Sequence, residues 1–135
     1  VSVFALTAEY VAIAGVDQSA NFKSAVLTVD AAQLDTTDFA SAGWTEMIGG
    51  LKSGTLALTV QDDVTNSAID DVLWGFLGTV QTFEIRPTQS AVGSNNPKYT
   101  GSVLITSHSM GGQVGDLATK QLSFPTSGAV ARAEA

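Results

Sequence analysis

Apolar and polar residues alternate along most of the chain. Residues 24–30 put Ala25, Leu27 and Val29 on one side and Ser24, Val26, Thr28 and Asp30 on the other. Residues 55–61 repeat the pattern, with Leu56, Leu58 and Val60 against Thr55, Ala57, Thr59 and Gln61. Successive side chains of a strand face opposite sides of its sheet, so both segments predict half-buried β-strands. Residues 9–14, 34–39, 80–86, 99–107 and 117–124 are rich in Thr, Val, Ile, Phe and Tyr and predict further strands. Residues 66–77 follow another period. Val72, Leu73, Phe76 and Leu77 stand three, four, seven and eight positions after Ile69, the stripe of an amphipathic helix. Asn66 or Ser67 can cap its start, Asp70 and Asp71 suit its positive end, and Gly78 suits its stop.

Between these elements, residues 40–52 (ASAGWTEMIGGLK) read as a long loop that shows Trp44, Met47 and Ile48 between glycines. Residues 89–98 are polar and turn-rich, 110–116 are Gly-rich, and 125–135 have no packing pattern and read as an arm. Nothing marks a domain break, so residues 1–135 form one domain. Many short strands and one helix predict a mainly β fold, a sandwich or partly closed barrel with the helix over one open end.

Composition narrows the chemistry. With no cysteine, disulfide frameworks, thiolate metal sites and cysteine nucleophiles are excluded. A single histidine, His108, rules out a multi-histidine metal site within one chain. Asp and Glu number 13 against 6 Lys and Arg, a formal charge of −7, which argues against binding nucleic acid through its phosphates. The longest apolar runs, such as 11–16, fall well short of the ~20 residues of a membrane span. The start, VSVFALTAEY, lacks the basic region of a signal peptide, which fits a protein that stays or assembles where it is made.

Candidate reactive groups dissolve on inspection. Asp62–Asp63 and Asp70–Asp71 have no cation-loop spacing and read as acids at a helix start. His108, with Ser107, Ser109 and Asp116, lacks the Gly-x-Ser-x-Gly elbow of a nucleophilic triad. Gly111, Gly112 and Gly115 precede a strand rather than a phosphate-binding helix and read as a turn or bulge. Trp74 lies beside the helix stripe and reads as packed there. Trp44, with Met47 and Ile48 on a loop, reads as a protein interface rather than a sugar platform. No catalytic, metal or cofactor residue is predicted.

The runs Leu34-Asp35-Thr36-Thr37-Asp38-Phe39, Gly43-Trp44 and Ile48-Gly49-Gly50-Leu51-Lys52-Ser53-Gly54-Thr55-Leu56 resemble phage major tail (tail tube) proteins of long non-contractile tails. Leu73-Trp74, residues 80–86, Asn96-Pro97-Lys98-Tyr99-Thr100-Gly101, Val114-Gly115-Asp116 and Thr126-Ser127-Gly128 continue the likeness in order, over about residues 10–131. The resemblance implies a β-sandwich closed toward a barrel and flanked by one helix. It implies six-membered rings whose inner sheets merge around a lumen and which stack into a hollow tube. Residues 40–52 match the stacking loop, which makes Trp44, Met47, Ile48 and Leu51 contact candidates. A tape-measure protein occupies the lumen before genome DNA passes, terminator and tip proteins end the tube, and the protein belongs in the virion tail, assembled in the host cytoplasm. No additional immunoglobulin-like domain follows, which leaves the arm free for ring-to-ring contact.

A DNA conduit must not grip DNA, and acids with hydroxyls make such a wall. Thr28, Asp30, Thr55, Thr59 and Gln61 have that chemistry and are the lumen candidates, although periodicity alone leaves open which polar face lines the bore. Two other readings stand beside this one: a capsid decoration (cement) protein, and a carbohydrate-binding module that uses Trp44.

Overall fold

The computed structural model describes residues 5–62 and 69–134. Its elements run β1 (Tyr10–Ile13), β2 (Val16–Asp17), β3 (Phe22–Asp35), β4 (Met47–Gln61), α1 (Ile69–Gly75), β5 (Val80–Arg86), β6 (Lys98–Leu104), β7 (Thr119–Pro125) and β8 (Ala131–Ala133). Two antiparallel sheets form, in the orders β2-β1-β5-β6-β8 and β3-β4-β7. No helix among the described residues is long and apolar enough to cross a membrane.

The core lies between the sheets. Val11, Ile13, Phe83, Ile85, Val103 and Ile105 face Ala25, Leu56, Leu58, Val60, Leu122 and Phe124, and Ile69 and Leu73 of α1 close one end. Each fully buried aliphatic or aromatic side chain contributes roughly 1.5–3 kcal/mol. The sheets also join at a corner, where Val103 bridges Thr126 and the Ser127 amide donates to the Ser102 carbonyl at 2.8 Å. The fold is therefore a sandwich partly closed into a barrel. Gly54 is required where the corner crosses β4: an added Cβ would lie 3.0 Å from the Thr28 carbonyl and 3.2 Å from the Thr126 side chain.

Three expectations change. The strand expected at 24–30 runs on to Asp35 as β3 and takes in only the first two residues of the strand expected at 34–39, whose remainder turns into a 3₁₀ helix at Phe39–Ser41; β4 begins at Met47, so only the first half of the loop expected at 40–52 is loop. The Ala31-Ala32-Gln33 stretch, outside the expected strands, stays extended because β4 pairs with it across a bulge: β4 holds an extra residue between the pairs Ala31–Lys52 and Gln33–Gly49. The expected arm at 125–135 instead adds β8 to the β6 edge through Tyr99–Arg132 and its neighbours, so backbone pairing orders a segment with no apolar pattern. Trp74 is 63% exposed rather than packed, because Ile69 and Leu73 turn the other side of the short helix to the core. The helix itself is found as Ile69–Gly75, within the expected 66–77. The proposed caps Asn66 and Ser67, and Asp63, lie outside the described residues.

Candidate functional site

The β3-β4-β7 sheet has one face in the core and one in the open. Directly opposed residues share a face, and Thr28 pairs with Thr55, Thr59 with Gln121, and Gln61 with Thr119. Thr28, Asp30, Thr55, Thr59 and Gln61 therefore stand together on the open face, among Ser24, Val26, Ala57 and Ser123. This face is made of hydroxyls, amides and small apolar groups, with Asp30 its one acid among these residues. The open face of the other sheet differs. There Glu84 pairs with Arg86, and the Arg86 guanidinium stacks 4.0 Å over the Tyr10 ring.

The β3–β4 hairpin extends beyond the sandwich, and its tip is built by short polar bonds. Asp35 accepts from the Thr37 amide at 2.8 Å, and the Thr37 hydroxyl accepts from the Glu46 amide at 2.8 Å. Asp38 caps a 3₁₀ turn at Phe39–Ser41 by accepting from the Ala40 amide at 2.9 Å. Ala42 and Gly43 then turn the chain with φ of 55° and 87°. The hydrogen bonds from the Thr37 hydroxyl and amide hold the Asp35 carboxyl below the usual carboxylate range. This frame holds Phe39 and Trp44 out in solvent, at 108% and 78% exposure.

Met47, Ile48 and Leu51 are not loop residues as expected; they are exposed residues of β4. Ile48 pairs with Leu34 on the same face as Thr28 and Asp30, while Met47 pairs with Asp35 on the opposite one. One sheet face thus changes from polar along the sandwich to apolar along the hairpin. Phe39 and Leu34 were missed as contact candidates because residues 34–39 were read as a strand rather than as part of the projecting loop; the Asp38-x-x-Ser41 cap was the available signal for the turn.

At the other end of β4 lies an ionic cluster. The Lys120 side chain is fully buried on the core face of β7, its ammonium donating to Asp70 of α1 at 2.8 Å and lying 3.3 Å from Asp62. The Asp62 side chain is itself 3% exposed, and its Oδ1 has no hydrogen-bond partner, so this pairing is purely ionic. His108 Nε2 lies 3.2 Å from the same Asp70 oxygen, and its ring meets Trp74 edge-on. The cluster fastens α1 and the 105–118 segment to the sheet. The same geometry puts His108 with Asp70 rather than with Asp116 of the notional triad. No group of three or more His, Asp or Glu residues converges to hold a metal among the described residues.

The Lys120 hydrogen bond, with the charges of Lys120 and His108 behind it, lowers the Asp70 pKa. An Asp that is more acidic folded than unfolded contributes stability above its unfolded value, about 3.9, and loses it as pH falls through the folded value. Urea midpoints are expected to fall as pH drops below about 4, and Asp70→Asn should make that fall shallower. An unchanged slope in Asp70→Asn would remove Asp70 from the acid response.

Together these features define a class: a two-sheet β-sandwich, joined at one corner, with one end helix and one long projecting hairpin. The fold is shared with solved structures. One is a chain in the virion of a native gene transfer agent particle, with 19% identity over 83% of this chain and 84% of that one, at a TM-score of 0.67. Another is a chain in the tail of an empty gene transfer agent particle, computed with helical refinement and C6 symmetry, with 19% identity over 82% and 81% and a TM-score of 0.65. At this identity the likeness establishes the fold. No family model matches the chain, and no curated protein does.

Proposed function

We propose that this chain is a tail tube subunit: a structural virion protein, not an enzyme, that forms hexameric rings stacked into a hollow tail tube. The observation that carries the reading is a fold shared along four-fifths of the chain with a component of a tail of C6 symmetry. The three-stranded sheet supplies a physical reason for ring closure. Among the described residues, β3 has no strand partner on its outer edge, and β7 forms the opposite edge of the same sheet. A long bare edge is a hazard to a monomer and a joint for an assembly. Pairing β3 of one copy with β7 of the next is a head-to-tail contact, the kind that closes into rings. Six copies would contribute roughly 18 strands, in the range at which barrels keep an aqueous channel.

In this arrangement the open face of the sheet lines the bore, with Thr28, Asp30, Thr55, Thr59 and Gln61 on the wall. Their hydroxyls and amides meet a passing polyanion, and none of these five residues is a cation to hold it. The bore would take a tape-measure protein during assembly and genome DNA at infection, with terminator and tip proteins at its ends. The hairpin, with Trp44, Met47, Ile48 and Leu51, carries contact between rings. The protein would then reside in the tail of a virion of the long, non-contractile kind.

Negative-stain microscopy of the purified chain, with light scattering for mass, tests the reading. Hexameric rings and tubes are expected. A label on this chain that decorates capsid surfaces instead would establish the decoration alternative, in which Trp44→Asp leaves assembly of the tail untouched.

A further inference from the structure

The hairpin is one of two apolar poles. The other lies at the far end of β4, where α1, the turn before β5 and the 105–118 segment meet. The Asp62 amide donates to the Ala118 carbonyl there at 2.9 Å, and the Gly78 amide to the Ile105 carbonyl at 2.7 Å. This end exposes Trp74 at 63%, Met110 at 67%, Val114 at 107% and Leu117 at 61%, with Leu77 and Val80 beside them. Among the described residues only the edge of the His108 ring meets this surface, at Trp74, and the buried Lys120–Asp62–Asp70 cluster holds the platform beneath it in place.

We propose that this pole is the receiving surface for the hairpin of a second copy of the chain in the adjacent ring. The inference rests on the tube reading and names the other half of its axial joint. Three features commit the occupant. The poles stand at opposite ends of one strand, so a single head-to-tail contact covers both and repeats without limit. Each pole exposes several large apolar side chains together, Phe39, Trp44 and Leu51 at one and Trp74, Met110 and Val114 at the other, as interaction surfaces do. Both poles carry acids, Asp35, Asp38 and Glu46 at the tip and Asp116 at the platform, and the Lys120 beneath the platform is buried against Asp62 and Asp70, so the joint is apolar rather than ionic. Salt screens their mutual repulsion, and tube growth should therefore be faster at higher ionic strength.

Two variants test it. Trp44→Asp spoils the hairpin, and the double variant Met110→Asp/Val114→Asp spoils the platform at solvent-facing loop positions. Each alone should give single rings that do not stack. Mixed in equal amounts, they should form two-ring stacks and no tubes, since each ring supplies the half the other lacks. Long tubes from the platform variant alone would overturn the inference. So would two-ring stacks from that variant alone, the mark of hairpin-to-hairpin contact. As the chain has no cysteine, Trp44→Cys mixed with Val114→Cys should give an oxidised heterodimer on a non-reducing gel, while a mixture that yields only homodimers counts against it. A wild-type chain that forms no rings at all is a separate failure: it removes the tube reading, and the axial joint with it.

Discussion

Lys120→Met should cost the folded chain about 3–5 kcal/mol, the usual penalty when one partner of a buried ion pair is removed. Methionine fills the path of the lysine stem, so little cavity results and the loss is electrostatic. The Asp62 carboxylate, 3% exposed and without a hydrogen bond at Oδ1, then has no cation within 4.0 Å. Asp70 is less stranded, being 24% exposed and keeping His108 at 3.2 Å. The double variant Asp62→Asn/Lys120→Met should therefore recover most of the loss, because neutral replacement of a whole buried pair is often close to neutral. Urea unfolding at neutral pH reads both, as a fall in midpoint at unchanged slope. A Lys120→Met midpoint matching wild type would mean that the cluster does not hold the helix end together.

A lysine pair on the open sheet face should change transport without changing the fold. Thr59 and Gln121 are direct cross-strand partners on that face. Thr59→Lys/Gln121→Lys puts cations on the wall of every subunit. Surface substitutions of this kind usually shift stability by less than about 0.5 kcal/mol, so rings and tubes should still form. On the proposed tube reading this face lines the bore, which then becomes a phosphate-binding surface, and six to ten such contacts make affinity fall about 10³–10⁵-fold between 50 and 200 mM salt. Particles with the variant tube should eject DNA at least ~10-fold more slowly at low salt, with the delay vanishing as salt is raised. Ejection timed by a DNA-binding dye reads the effect. Wild-type ejection through a tail of variant subunits would place this face outside the bore.

Much of the fold was legible from local pattern. The expected 80–86 strand is β5 as found, and the 24–30 and 55–61 alternations predicted the paired faces of β3 and β4. These succeed because a half-buried strand writes its burial directly into every second residue. The hairpin was less legible. Residues 31–35 and 47–52 extend past the core, so no burial disciplines their pattern, and backbone pairing alone keeps them extended. The same holds for β8, whose sequence has no apolar periodicity and whose order comes from the β6 edge.

The candidate surfaces divided in the same way. Period two made Thr28 and Asp30 legible as one face of their strand and Thr55, Thr59 and Gln61 as one face of theirs, while the β3–β4 pairing brought the two sets together. Trp44 was legible because a large apolar residue among glycines has no local partner. The Asp62–Lys120–Asp70–His108 cluster was not, since its members are spread from 62 to 120 and only packing brings them together.

The amino-acid sequence by itself determined the class of fold, the polar character of one sheet face, and the absence of thiol and multi-histidine chemistry, because each depends on residue type and near-neighbour spacing. Only the tertiary structure decided that the loop is the end of a long hairpin, that the tail is a strand, and that exposed apolar residues gather at two opposite ends of β4. Those facts depend on which backbone groups find partners far along the chain, and on what the completed sandwich leaves uncovered.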